Sequence, residues 1–72
     1  MNLNGNNLVG YPVEMFDAST NEKLEYFESI GKARKFAEPN AKKGTFENKV
    51  YRREVMTITY KYKQRNIYFK EL

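Results

Sequence analysis

The sequence predicts an α+β domain: a small antiparallel β-sheet with one helix packed across one of its faces. Three observations support this. Apolar residues alternate in several short stretches, one stretch shows helical spacing, and polar turn segments separate them. The predicted order of elements is β-β-α-(short α)-β-β. Residues 11–72 form this single domain, and residues 1–10, rich in Asn and Gly, are predicted to be a flexible N-terminal arm.

The first hairpin is predicted from residues 11–16 and 23–27, in which apolar and polar residues alternate. Residues 17–22 form the turn between them, because Asp, Ser, Thr and Asn side chains hydrogen-bond to the nearby backbone. The alternation predicts a core-facing set of side chains, which comprises Tyr11, Val13, Met15, Leu24 and Tyr26.

A short amphipathic helix is predicted to begin after Ser29, whose hydroxyl can accept a hydrogen bond from a backbone N–H of the first turn. Ile30, Ala33 and Ala37 recur at helical spacing and predict the buried face. Glu38 precedes a proline, and a residue in that position is disfavoured in the α conformation. The helix should therefore end at Ala37 or Glu38.

Residues 45–53 have two interpretations. In the first, Thr45 caps a short second helix whose inward-facing side chains are Phe46, Val50 and Tyr51. In the second, the segment is a loop that leads directly into the next strand. The sequence slightly favours the helix.

A C-terminal hairpin completes the predicted sheet. Residues 54–62 form its first strand, since β-branched and aromatic residues dominate this stretch. Residues 63–66 form a polar turn, and residues 67–72 form the last strand. The predicted core face of the first strand carries Met56, Ile58, Tyr60 and Tyr62.

The charge of the chain changes sign near its middle. Residues 1–31 contain one base against five acids, and residues 32–72 contain twelve bases against four acids, for a net charge of +4. This division predicts one basic face, which suits a polyanionic partner. The alternative is that the bases serve only solubility.

Most enzyme classes lack their usual residues here. The chain has no Cys and no His, which removes disulfides, thiolate metal sites and the commonest general base. The glycines at positions 5, 10, 31 and 44 are too dispersed for a phosphate-binding loop. Neighbouring acids such as Glu22 and Glu25 are interpreted as exposed hairpin acids, because no apolar pocket is indicated. We therefore predict no enzymatic activity, no cofactor and no metal.

The sequence also carries no membrane or export signal. No apolar run approaches the roughly 20 residues of a membrane span. Residues 1–7 lack the positive charge that opens a signal peptide. We expect a soluble, cytoplasmic protein without a membrane partner, and the sequence does not indicate its oligomeric state.

Aromatic and basic residues are closely interleaved in residues 60–70. A sheet surface of this composition can stack nucleic-acid bases and neutralise phosphates. The alternative, which is favoured, is that the aromatic residues form the core face of the hairpin. The two interpretations are partly compatible, because a helix covers only one face of the sheet.

A second basic group follows the predicted helix. If residues 45–53 are helical, Lys49, Arg52 and Arg53 lie near one another. A basic helix can enter a major groove while connector lysines contact the backbone, and the alternative is a solvated charged face. The predicted nucleic-acid-binding residues are Arg34, Lys35, Lys42, Lys43, Lys49, Arg52 and Arg53, with Lys61, Lys63 and Arg65 at the hairpin tip.

Residues 11–37 resemble the NUMOD-like DNA-binding modules found in the tails of intron-encoded homing endonucleases. The shared residues are Val13, Phe16, Asp17, Phe27, Ser29, Ile30, Ala33, Phe36 and Ala37. In that family a short hairpin leads through a Phe-x-Ser-Ile motif into a helix, and a recognition-type helix follows promptly. Here a connector containing Pro39 intervenes, and the chain ends in a longer hairpin. The resemblance implies DNA binding without catalysis.

The sequence supports two hypotheses of function. The first is a small, basic, non-catalytic nucleic-acid-binding protein of a phage or mobile element, with DNA favoured over RNA, held mainly by contacts of Lys and Arg with phosphates. The alternative is a protein-interaction module or inhibitor that binds a host protein through its acidic first hairpin or a sheet edge. The acids of that hairpin are Glu14, Asp17, Glu22 and Glu25.

Overall fold

The structure, a computed structural model, describes residues 11–72, so the predicted arm lies outside the described residues. The described elements are β1 (Val13–Asp17), β2 (Lys23–Phe27), α1 (Ile30–Ala37), α2 (Lys43–Tyr51), β3 (Met56–Tyr60) and β4 (Lys63–Glu71). The strands form one antiparallel sheet of order β2-β1-β4-β3. The core lies between one face of this sheet and the two helices. The predicted α+β class is confirmed.

The two central strands, β1 and β4, supply the most deeply buried part of the sheet. Val13 and Met15 of β1 are fully buried, as are Ile67 and Phe69 of β4. Met15 pairs directly with Phe69, so the alternating residues of both strands face the helices together. The predicted core positions of the first strand are therefore confirmed for Val13 and Met15.

The edge strand β2 contains a bulge that changes which side chains face the core. Its register with β1 shifts between Met15 and Phe16, and Leu24 is left without a partner. Leu24 and Phe27 pack against the core, whereas Tyr26 is largely exposed. The prediction that Leu24 and Tyr26 share a face is wrong, because the bulge interrupts the alternation of period two.

Helix α1 forms as its local sequence predicts. The Ser29 hydroxyl accepts a hydrogen bond from the Lys32 N–H at 3.2 Å, which caps the first turn. Ile30 and Ala33 are buried, and the helix ends at Ala37. The predicted N-cap, buried face and end of the helix are confirmed.

Helix α2 confirms the helical interpretation of this segment and corrects its boundaries. The helix begins at Lys43, so Thr45 lies within its first turn and is not the cap. Phe46 and Val50 are buried, as predicted. Tyr51 is 76% exposed, so the inward orientation predicted for it is wrong. Phe46 and Val50 are thus the two buried side chains of this helix.

The C-terminal hairpin turns earlier than predicted. Tyr60 pairs with Lys63, and the two-residue turn is Lys61–Tyr62, with φ values of 51° and 69°. These values define a type I′ turn. The predicted turn at residues 63–66 is wrong, because these polar residues form the start of β4 and pair with β3. Tyr62, predicted to face the core, is fully exposed.

Aromatic contacts join the helices to the sheet. The rings of Phe46 on α2 and Phe69 on β4 meet edge to face, with their centroids 5.4 Å apart. Phe36 on α1 contacts Phe27 at 5.3 Å and Tyr60 at 6.2 Å. Within residues 11–72, neither helix is long and apolar enough to cross a membrane.

Candidate nucleic-acid interface

The exposed face of α2 carries side chains that can read base edges. Thr45, Asn48 and Arg52 are exposed and follow one another at positions i, i+3 and i+7, with Tyr51 beside them. Hydroxyl, amide and guanidinium groups are the usual partners of bases in a major groove. The sequence prediction included Arg52 and omitted the other three, although their helical spacing was the signal that could have identified them.

The N-terminal end of α2 carries basic residues, although the helix dipole is positive at this end. Lys42 is the N-cap residue and makes no side-chain capping bond, and Lys43 is the first helical residue. No acid lies in the first turn. Cations are unfavourable at the positive end of a helix dipole, so these lysines do not stabilise the helix. Both are exposed, and neither forms an ion pair with the residues described.

The C-terminal end of α2 is also basic and holds an unusual backbone conformation. Arg53 has a φ of 53°, its N–H donates to the Val50 carbonyl at 3.0 Å, and the Glu54 N–H donates to the Lys49 carbonyl at 2.9 Å. This is a Schellman motif, in which glycine normally occupies the position of Arg53. Arg52 and Arg53 are exposed and form no ion pair within residues 11–72.

Two of the predicted cations hold the connector between the helices. The Arg34 Nη1 donates to the carbonyls of Pro39, at 3.3 Å, and Ala41, at 3.2 Å. The Lys49 Nζ forms an ion pair with the Glu38 carboxylate at 3.0 Å. These contacts fix α1 against α2, and they engage both side chains within the fold.

A third predicted cation, Arg65, stabilises the turn of the first hairpin. Its Nη1 donates to Asp17 Oδ2 at 3.0 Å, while Asp17 Oδ1 accepts from the N–H groups of Ser19, at 2.8 Å, and Thr20, at 3.0 Å. These backbone hydrogen bonds, followed by the hydrogen bond and charge of Arg65, hold the pKa of Asp17 below its ordinary value of 3.8. Asp17 is only 7% exposed, so its carboxylate is a structural group.

Acid should therefore weaken the fold through Asp17. Because its pKa is lower folded than unfolded, Asp17 stabilises the protein above the ordinary value of 3.8, and this contribution is lost as pH falls through the folded pKa. We expect Asp17→Asn to have a lower Tm at pH 7 and a flatter decline of Tm between pH 5 and 2.5. Thermal unfolding followed by circular dichroism measures this, with Glu22→Gln as control, since Glu22 is exposed and forms no ion pair with the described residues. Parallel declines in wild type and Asp17→Asn would contradict the role of Asp17.

The hairpin tip, defined as Lys61, Tyr62 and Lys63, is a third basic region of the described chain, besides the two ends of α2. All three side chains are exposed, and neither lysine forms an ion pair with the residues described. Directly below the tip, the Tyr60 hydroxyl donates to the Glu25 carboxylate at 2.7 Å, which raises the pKa of Tyr60. The Lys61 Nζ lies 5.3 Å from the centroid of the Tyr60 ring.

The interleaved aromatic and basic residues divide between the two faces of the sheet. Tyr60 and Phe69 are buried in the core. Tyr68 lies on the face away from the helices, where its ring stacks on Phe16 at 5.5 Å, and the Lys70 Nζ lies 5.4 Å from the Phe16 centroid. Because the Phe16 and Tyr68 rings stack on each other, this face offers fewer free ring surfaces to a nucleic-acid base.

The acids of the first hairpin are largely engaged within the fold. Glu14 pairs with Lys23 at 3.1 Å, Asp17 is buried, and Glu25 accepts the Tyr60 hydroxyl. Glu22 is exposed and forms no ion pair with residues of the described chain. The negative surface that this hairpin offers to a partner is therefore small.

Seven of the ten predicted cations are exposed without an ion pair in the part of the chain that the structure describes. They lie on the outer side of α1, at the two ends of α2 and at the hairpin tip. They are Lys35, Lys42, Lys43, Arg52, Arg53, Lys61 and Lys63. The structure therefore divides the basic residues into free surface cations and cations that stabilise the fold.

Comparison with known proteins adds no family to this description. The chain matches no protein-family model, no curated protein and no solved structure. The resemblance of residues 11–37 to homing-endonuclease modules and the origin in a phage or mobile element remain predictions. The candidate interface rests on the geometry of α2 and the hairpin tip.

Proposed function

We propose that this protein binds DNA through α2, with the exposed polar face of the helix toward the major groove and its basic ends against the phosphates. The observation that supports this most directly is the arrangement of side chains on α2. Thr45 and Asn48 lie between two pairs of cations that form no ion pair within residues 11–72, Lys42 with Lys43 and Arg52 with Arg53.

The dimensions of α2 suit this role. Its nine residues span about 13 Å at a rise of about 1.5 Å per residue. The major groove of B-DNA is about 12 Å wide and admits an α-helix. A helix of this length reaches from one phosphate backbone to the other, so cations at both ends can contact phosphates while the middle faces the bases.

Three of the cations on α2 occupy positions where they reduce the stability of the fold, which supports a role in binding. Lys42 and Lys43 oppose the helix dipole, and Arg53 occupies a left-handed position that glycine adopts without strain. Folding alone would favour other residues at all three positions. Selection for phosphate contact explains why basic residues occupy them.

A titration by fluorescence polarisation tests the proposal. Short labelled duplex DNA, single-stranded DNA and RNA are titrated with the full chain at several salt concentrations. We expect the tightest binding to duplex DNA, with log K falling by about 0.9 per contacted phosphate for each tenfold rise in salt. Absence of binding at low salt would overturn the proposal, and a pull-down for a protein partner would then test the alternative hypothesis.

Substitutions at the C-terminal end of α2 can be compared with a control variant that loses the same charge elsewhere. In the variant Arg52→Gln with Arg53→Gly, two phosphate contacts are lost while the helix end is retained, because glycine favours the left-handed position. We expect the salt slope to fall by about 1.8, with unchanged or higher Tm. The control, Lys23→Gln with Lys32→Gln, removes the same charge from exposed ion pairs elsewhere. Equal losses in the two variants would show that only net charge matters.

A further inference from the structure

The hairpin tip has a sequence that its backbone disfavours. Both turn residues, Lys61 and Tyr62, have positive φ, at 51° and 69°. Turns of this type favour Asn-Gly, because these residues tolerate positive φ, whereas a bulky aromatic residue there is strained. Strain of this kind persists where the side chain serves a purpose other than folding.

The side chain of Tyr62 is not packed against any part of the fold that the structure describes. Its ring is fully exposed and makes no aromatic contact or side-chain hydrogen bond with the residues described. The other residues of the tip, Lys61 and Lys63, are also exposed and lack an ion pair in this part of the chain. The turn therefore presents one free aromatic ring between two cations.

The residues of β3 and β4 next to the tip make contacts that fix its position. The hairpin continues past β1, since β4 pairs with β1 only from Ile67 onward. The Tyr60 hydroxyl crosses to β2, where it donates to the Glu25 carboxylate at 2.7 Å and lies 3.2 Å from the Leu24 carbonyl. The Arg65 guanidinium lies 5.7 Å from the centroid of the Tyr60 ring. These contacts fix the direction in which the tip points before any partner binds, which lowers the entropic cost of binding.

We propose that the hairpin tip is a second nucleic-acid contact, at which Tyr62 stacks on an unpaired base while Lys61 and Lys63 contact the phosphates on either side. This inference rests on the proposed DNA binding for its partner but concerns a separate surface. Every base has a π-face, so stacking on an aromatic ring needs no particular sequence. The flanking lysines supply the phosphate contacts that such stacking platforms combine with their aromatic residues. The tip would therefore direct the protein to gaps, bulges or single strands.

The test compares two DNA probes of the same sequence, one fully paired and one with a single bulged 2-aminopurine. We expect wild type to prefer the bulged probe and to quench its fluorescence. In Tyr62→Asn the ring is lost, while the lysines and a residue that tolerates positive φ remain. This variant should bind the bulged probe about 10- to 100-fold more weakly, without quenching, and the paired probe within about 2-fold. Tyr26→Asn is the control, since it removes an exposed ring from β2.

A second variant separates binding from folding. Lys61→Asn with Tyr62→Gly supplies the favoured type I′ sequence, so its Tm should rise by about 4–8 °C. The same variant should lose its preference for the bulged probe. A structural role for Tyr62 would give the opposite result, with Tm falling and the preference retained.

Each outcome of these titrations has a distinct meaning. If Tyr62→Asn binds and quenches the bulged probe as wild type does, the inference about the tip is overturned. If wild type binds both probes equally, the tip inference fails and the proposed DNA binding through α2 stands. If wild type binds neither probe, both proposals fail. The Tm of the second variant is measured in every case and reports on the strain at the turn.

Discussion

Phe46→Ala is expected to lose about 3–5 kcal/mol of unfolding free energy, which is comparable to the total stability of a small domain, about 5 kcal/mol. Phe46 is 0% exposed, and its ring packs edge to face on Phe69 with 5.4 Å between centroids. The substitution leaves a cavity at the contact between α2 and β4. Circular dichroism during urea unfolding should show a largely unfolded chain or a greatly lowered midpoint.

The matched control for this substitution is Tyr51→Ala on the same helix. Tyr51 is 76% exposed, so its removal should change the free energy of unfolding by about 0.5 kcal/mol or less. Both substitutions raise the helix propensity of α2, so comparable losses in the two variants would show that burial of Phe46 is not the cause of its effect. A Phe46→Ala protein that unfolds cooperatively within about 1 kcal/mol of wild type would contradict the packing described for the core.

Lys42→Glu with Lys43→Glu should weaken DNA binding by about 100-fold or more near 0.1 M salt, because two phosphate contacts become two repulsions. The same change places acids at the positive end of the α2 dipole, where each acid stabilises a helix by about 0.3–1 kcal/mol. Affinity and stability should therefore move in opposite directions. Polarisation titrations and urea unfolding of the same samples measure the two quantities.

The control for this variant is Lys23→Glu with Lys32→Glu, which has the same net charge. Both lysines are exposed and already paired with acids, and they lie on β2 and α1, away from the helix proposed to bind DNA. We expect this control to keep most of the affinity and to lose a little stability. If both reversals abolish binding equally, the attraction is a property of total charge and the assignment to α2 is wrong.

The parts of the fold that the sequence predicts well are those set by local chemistry. Ser29 caps α1, the following proline limits its end, and the burial of Ile30 and Ala33 follows from helical spacing. The errors arise where the backbone departs from a regular period. The bulge at Leu24 interrupts the alternation of β2, and the turn at Lys61–Tyr62 lacks every residue that normally marks a type I′ turn.

The candidate site was predictable in composition and not in arrangement. The sequence shows which residues are basic, but it does not show which of them are engaged by residues that are distant in the chain. Arg65 meets Asp17 across 48 positions, and the residues that engage Arg34 lie beyond the end of α1. Only the folded chain separates these structural cations from the free ones at the ends of α2 and at the hairpin tip.

The sheet order β2-β1-β4-β3 has a consequence for the folding pathway. Two of its three strand pairings are local hairpins, whereas the central pairing joins the first strand to the last, with Asp17 opposite Ile67. Closing a loop of this length carries an entropic cost of about 3.5 kcal/mol beyond a constant, set by (3/2)RT ln n. The hairpins can form early and independently, but the sheet is completed only when the two halves of the chain dock. We therefore expect this docking step to set the rate of folding.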